Sequence, residues 1–209
     1  MLNDFKVILW DFDGVLMDSN AVRDLGFQKV LAGYPKQQVE ELMKYHRENG
    51  GLSRYVKFRY FFEQVLKEKV SDAQIQSLAQ SFSEIMCRLL INPNLLIQDA
   101  LDFVKSNFQE INMHIVSGSD QQELRWLCKE MGIDKYFVSI HGSPIAKQQL
   151  VQDLLNKFQY NKYMVALIGD SVNDFEAASV NGVQFFGYNN KMLRNYSEGY
   201  ISSFAALNN

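Results

Sequence analysis

Apolar positions along this chain follow two rhythms. Five short runs, residues 7–10, 113–116, 137–140, 164–168 and 183–186, are mostly continuous in apolar side chains. Such runs suit strands of a parallel sheet that is covered on both faces. Between them lie stretches of helical period. Ile97, Ala100, Leu101, Val104 and Phe108 line one face, Leu124, Leu127, Cys128 and Met131 a second, and Leu150, Val151, Leu154, Leu155 and Phe158 a third. Strands alternating with helices predict a doubly wound α/β core.

One interval breaks the alternation. The second run begins about a hundred residues after the first, whereas a crossover between parallel strands needs only a dozen or so. The intervening stretch reads as helical almost throughout. Ser71-Asp72-Ala73-Gln74 has the form of a capping box, and Ile75, Leu78, Ala79, Phe82, Ile85, Met86, Leu89 and Leu90 continue from it at helical spacing. Gly50-Gly51 and Pro93 punctuate the stretch. The expected organisation is a core from residues 1–17 and 95–209, with a helical insertion at 18–94.

In an open α/β sheet, ligands bind beyond the carboxyl ends of the strands. The residues directly after each apolar run therefore carry the candidate chemistry. Asp11 and Asp13 follow the first run, Ser117-Gly118-Ser119 the second, and Gly169-Asp170-Ser171-Val172-Asn173-Asp174 the fourth. Carboxylates are rarely buried without a partner, so Asp11 and Asp13 at the end of a buried strand imply a cation. The pattern suits Asp11 as a covalent nucleophile and Asp13 as its acid/base partner, with a proton held on Asp13 for a leaving oxygen. Asp11 and Asp170 are candidate ligands for a hard divalent ion such as Mg²⁺. Lys147, past a further strand end, could steady a phosphoryl group, and Ser117 and Gly118 could meet phosphate oxygens.

Composition adds limits. Hydrophobic residues make up 47% and charged residues 22% of the 209, as in an ordinary globular protein. The formal net charge of −3 gives no reason to expect nucleic acid. Bases alternate with aromatics from Arg54 to Phe62, but this run reads as a helix burying its rings. His114 lies inside a run and is expected to be structural, whereas His141 sits near the candidate site. Two cysteines, Cys87 and Cys128, form no disulfide framework or CxxC spacing. With no signal-peptide pattern and no membrane-length apolar stretch, the expected location is cytoplasmic.

Asp11-Phe12-Asp13-Gly14-Val15-Leu16, Ser117, Lys147 and Gly169-Asp170 with Asp174 resemble, in order, the four motifs of the haloacid dehalogenase-like hydrolase superfamily. The resemblance implies a Rossmann-like core with a mobile α-helical cap. It further implies attack by Asp11 on phosphorus, proton transfer by Asp13, and Mg²⁺ held by Asp11, Asp170 and the backbone carbonyl of Asp13. Asp174 would support the metal's waters or orient Lys147. The second aspartate implies a phosphatase or a mutase. The helical insertion resembles that of the phosphoglycolate phosphatase and β-phosphoglucomutase branch. There, mutases carry a histidine four residues after the Ser or Thr that closes the first motif, whereas Arg23 follows Ser19 here. Simple hydrolysis of a small phosphorylated metabolite, expected to be a sugar phosphate, is therefore favoured over a phosphosugar mutase or a non-catalytic phosphate-binding module. Gly51-Leu52-Ser53-Arg54 resembles the branch's substrate-contacting cap loop, which makes Arg23 and Arg54 candidates for substrate recognition.

Overall fold

The computed structural model describes residues 2–196 and 199–207. Its centre is a sheet of parallel strands, β1 (Val7–Trp10), β2 (Asn112–Asp120), β3 (Ser139–Ser143), β4 (Val165–Gly169), β5 (Gln184–Tyr188) and β6 (Gly199–Ile201). They lie in the order β3-β2-β1-β4-β5-β6. The first strand is thus central, paired with β2 through Trp10 and Ile115 and with β4 through Trp10 and Ile168. Chain direction across the sheet reverses between β1 and β4, and a crevice opens at such a point.

Alternate side chains face opposite ways along a strand, and the two faces have separate cores. Ile8 and Trp10 join Met113, Ile115, Ala166 and Ile168 on one side, beneath α5 (Gln98–Asn107) and α6 (Gln121–Glu130). Val7 and Leu9 join Val116, Val165 and Leu167 on the other, beneath α7 (Lys147–Phe158) and α8 (Val172–Asn181). Each such Leu, Ile or Val, once fully buried, stabilises the fold by about 1.5–3 kcal/mol.

Two sequence expectations are corrected. β2 runs four residues beyond its apolar stretch, so Ser117-Gly118-Ser119 lies within the strand and not after it. Asp120 then caps α6, its side chain accepting from the amides of Gln122 at 3.0 Å and Glu123 at 3.1 Å. β3 starts at Ser139, because a 3₁₀ turn at Asp134–Tyr136 precedes it. The sheet also gains β6, which no apolar run announced.

Residues 18–94 add no strand to the sheet. They form α1 (Asn20–Val30), α2 (Lys36–Glu48), α3 (Arg54–Tyr60), which runs on into a π-helical turn at Phe61–Leu66, and α4 (Asp72–Leu89). Ser71 and Gln74 make the expected capping box at the start of α4. Phe27 sits between Phe58 and Phe82, with ring centroids 5.2 and 4.6 Å away. The chain enters and leaves this segment side by side. The Asp18 amide donates to the Leu95 carbonyl at 2.7 Å, and the Ile97 amide to that of Leu16 at 3.0 Å. Among the described residues no helix is long and apolar enough to cross a membrane.

Candidate active site

The carboxyl ends of β1 and β4 open into a cavity of about 590 Å³. Asp11, Asp13, Ser117, Gly118 and Asp170 line it from the core, and Arg23, Arg54 and Lys57 from the helical segment. Asp11 continues the β1 ladder, its amide donating to the Ile168 carbonyl at 2.9 Å. Its side chain is buried. Lys147, the first residue of α7, brings Nζ to 2.8 Å from Asp11 Oδ1 and also binds Asp174 Oδ1. Asp174 is fixed by its own helix start, where Oδ2 accepts from the Ser171 amide at 3.0 Å and its hydroxyl at 2.6 Å. Lys147 thus lies between the Asp11 and Asp174 carboxylates.

Asp170 follows β4 and faces Gly14. A side chain at Gly14 would collide with the Asp170 carboxylate, and its φ of +76° favours glycine as well. Asn20 donates to Asp170 Oδ2 at 3.2 Å, and Asn190 to its backbone carbonyl at 2.8 Å. Neither asparagine was singled out from sequence, although Asn189-Asn190 directly follow β5, where the strand-end rule could have found them.

Asp13 has a different environment. Ser119 Oγ donates to its Oδ2 at 2.5 Å, Arg23 Nε to its Oδ1 at 3.0 Å, and the Ser19 hydroxyl also to Oδ1. Burial would raise its pKa, but the Arg23 charge and these hydrogen bonds more than offset that and hold it below the usual value. The sequence reading expected a carboxyl holding a proton, whereas this arrangement keeps Asp13 ionised.

Arg23 and Arg54 are both buried and both engaged within the protein. Arg23 Nη1 binds Glu123 Oε1, and Arg54 Nη1 binds Glu123 Oε2 at 2.7 Å and Ser83 Oγ at 2.6 Å. The Arg54 guanidinium also lies 4.5 Å from the centre of the Phe82 ring. Glu123, on α6, therefore clasps two helices of the inserted segment. Sequence reasoning missed it, together with Lys57 and His46, two further buried residues at the cavity.

Gly118 serves a close approach, though to protein. A side chain there would strike the Gly51 carbonyl, so the Gly50-Gly51 loop rests on the end of β2. His141 does not line the cavity and meets Ser139 Oγ at 2.8 Å. His114 is fully buried, between Ser139 at 2.7 Å and Tyr160 at 3.0 Å, as a structural residue should be.

Residues 8–188 match the family model of the haloacid dehalogenase-like hydrolases. The chain belongs to that family. Over 184 residues it is 23% identical to a phosphorylated carbohydrates phosphatase of Thermotoga maritima, covering 86% of this chain and 82% of the relative. Its fold is similar to that of β-phosphoglucomutase from Clostridium difficile, with a TM-score of 0.79 and 15% identity over 97% of this chain and 93% of the other. It is likewise similar to CbbY from Rhodobacter sphaeroides in complex with phosphate, with a TM-score of 0.77 and 16% identity over 97% and 96% of the two chains.

Hydrolases of this family usually use a divalent metal, and the carboxylates suit one. Asp11, Asp170 and Asp174 each offer an oxygen within 4.8 Å of the others. Burial and the Asp174 charge push Asp11 up to about 7, against the opposing pull of Lys147. Burial and the Asp11 charge raise Asp170 well above its ordinary value. Crowded acids that resist ionisation in this way would be relieved by a cation. Both Asp174 oxygens already accept hydrogen bonds, which leaves Asp11 and Asp170 as the better direct ligands.

Proposed function

We propose that this hydrolase is a Mg²⁺-dependent phosphomonoesterase that works through an aspartyl-phosphate and acts on a small phosphorylated carbohydrate. The observation that carries the reading is the cluster at the β1 and β4 ends, with buried Asp11 held against Lys147 and Asp170 beside it. Asp11 attacks phosphorus, the ester P–O bond breaks, and the alcohol departs. Water then attacks the same phosphorus and regenerates Asp11 with release of phosphate. Asp13 is set as the base for that water, because Arg23, Ser19 and Ser119 keep it ionised. To protonate the leaving alcohol in the first step it must exchange these contacts for a proton. Lys147 and the Ser117 hydroxyl face the transferred phosphoryl group. Bound Mg²⁺, held by Asp11, Asp170 and the Asp13 carbonyl, supplies charge stabilisation of the phosphoryl oxygens.

Residues 18–94 act as the cap that excludes water, and the paired linkers at Asp18 and Ile97 are its hinge. The Thermotoga relative, named for phosphorylated carbohydrates, supports the substrate class. Arg23 supports hydrolysis over phosphosugar mutation, because its guanidinium cannot cycle a proton as a histidine does. The test is hydrolysis of p-nitrophenyl phosphate with Mg²⁺. Activity should vanish with EDTA, return with added Mg²⁺, and fall at least a thousandfold in Asp11→Asn. Full activity in Asp11→Asn would remove the nucleophile assignment.

A further inference from the structure

The wall of the cavity built by the inserted helices carries its own counter-charge. Arg23 and Arg54 are buried and line the cavity, and Glu123, from α6 of the core, meets both without lining it. One Glu123 oxygen is on Arg23 Nη1 and the other lies 2.7 Å from Arg54 Nη1, while Asp13 accepts from Arg23 Nε at 3.0 Å. Two guanidiniums thus meet two carboxylates. The third cation of the wall, Lys57, donates to the Gly50 carbonyl at 3.0 Å. Burial depresses its pKa to about 7, so its charge is only partly kept at neutral pH.

A wall that receives an anion keeps guanidinium forks free for it, because carboxylates and phosphates bind them through paired, charge-assisted hydrogen bonds. Here a buried carboxylate of the protein takes that place first. A second anion at these arginines would have to displace Glu123 or lie beside it, and like charges repel strongly away from water. The groups left over agree. Two buried side-chain nitrogens of the wall have no hydrogen-bond partner, Arg23 Nη2 and His46 Nδ1. His46 Nε2 faces Asp24 Oδ1 at 3.1 Å and so carries the ring proton, and burial keeps the ring neutral, with its pKa pushed down to about 3. Nδ1 is then an acceptor. One donor and one acceptor complement a hydroxyl group, whereas an ionised carboxylate or phosphate has no proton to give to Nδ1.

We propose that Glu123 is a positioning residue for specificity: by neutralising Arg23 and Arg54 from the core side, it makes the wall reject a second anionic group on the substrate. The enzyme then selects phosphomonoesters whose alcohol is an uncharged polyol, and phosphorylated sugar acids and sugar bisphosphates are poor substrates. The inference rests on the phosphomonoesterase reading above and narrows it. Specificity of this kind works by repulsion of the wrong partner, and it resides in a residue that never touches the substrate. Without the Glu123 charge, the same arginines would become an anion site.

The test uses the full-length protein with Mg²⁺ and matched substrates: glucose 6-phosphate against 6-phosphogluconate, and fructose 6-phosphate against fructose 1,6-bisphosphate. For wild type, kcat/KM should favour the neutral member of each pair by about tenfold or more. Glu123→Gln should lower that preference by about tenfold or more, mainly through a lower KM for the acidic member. Glu123→Asp, which keeps the charge, should retain most of the wild-type preference. Both members are assayed on the same variant, so a loss of folded protein cancels from the ratio. A clasp that only held the helices together would change kcat/KM equally on both members, and that result in Glu123→Gln overturns the proposal. A wild type that hydrolyses both members of each pair equally, or favours the acidic ones, overturns it without any variant. Each of these outcomes leaves the phosphatase reading intact. Failure to hydrolyse any phosphomonoester, p-nitrophenyl phosphate included, removes the phosphatase reading and the proposal with it.

Discussion

Glu123→Gln tests how the inserted helices are held to the core. Glu123 is almost wholly buried, with one oxygen on Arg23 and the other on Arg54. The substitution keeps the shape but removes the charge, and it turns an amide N–H₂ toward a guanidinium. Breaking a buried ion pair by altering one partner costs about 3–5 kcal/mol, much of it from the charge left uncompensated. Glutamine retains one acceptor, so the loss should fall near the low end, about 3 kcal/mol. With a urea slope of about 2–3 kcal/mol per molar for a chain of this size, the unfolding midpoint should drop by about 1 M. Glu130→Gln, on the exposed far end of the same helix, should stay within about 0.5 kcal/mol of wild type.

The same variant makes a pH prediction whose sign is fixed. The Arg23 and Arg54 charges, together with their hydrogen bonds, overcome the effect of burial and hold Glu123 below its ordinary value of 4.5. A depressed carboxyl pKa contributes stability that is complete above the unfolded value and lost as pH falls through the folded one. Wild type and Glu123→Gln should therefore differ most at neutral pH and converge as the solution is acidified below 4.5. Equal urea midpoints at pH 7, or a gap unchanged at low pH, would refute the argument that Glu123 acts through its charge.

Other variants probe separate parts of the molecule. Lys57→Met should raise Tm of the ligand-free protein, because Lys57, depressed from 10.5 to about 7, penalises the fold fully below pH 7 and not at all above 10.5; a Tm gain that does not shrink across this range would contradict the shift. Gly118→Ala should lose about 1–3 kcal/mol in urea unfolding and lower kcat/KM, since the new methyl meets the Gly51 carbonyl and must displace the loop that rests there. Ser71→Ala removes the capping box of α4 far from the cavity, so it should cost about 1 kcal/mol in urea unfolding while leaving kcat on p-nitrophenyl phosphate within about twofold.

Most of the core residues of the site that were legible from sequence stand where a strand ends, whereas Ser117 and Gly118 fall within the extension of β2. Asp11, Asp13 and Asp170 follow apolar runs, and the strand-end rule needs only the position of the run. Lys147 was found in the same way, at the first turn of the helix after β3. Glu123 and Lys57 had no such marker, because a charged residue in a helix is ordinarily solvated. A trace of each was present nonetheless. Arg54, Lys57, Phe58 and Phe61 fall at i, i+3, i+4 and i+7, a single helical face, and the apolar members of that set are fully buried. A lysine on such a face is forced inward with its neighbours. Glu123 likewise lies four residues before buried Leu127. Strand β6 escaped for another reason: three residues at a sheet edge carry too little pattern to register.

Asp13 marks the limit of reading chemistry from spacing. Its type and place at the end of β1 are local facts, and the acid/base role proposed for it rests on them. Which form it takes is not local. The charge that lowers its pKa comes from Arg23, ten residues on and in a different structural layer, and a further hydrogen bond comes from Ser119, 106 residues away. Arg23 is itself oriented by Glu123, a hundred residues farther along. The ionisation of Asp13 thus depends on where the inserted helices sit against the core. If the substrate draws Arg23 toward the wall, the strongest hold on Asp13 as a carboxylate weakens at the moment a proton donor is needed. The arginine that replaces a histidine after the first motif would then link recognition of the substrate to the protonation of the acid.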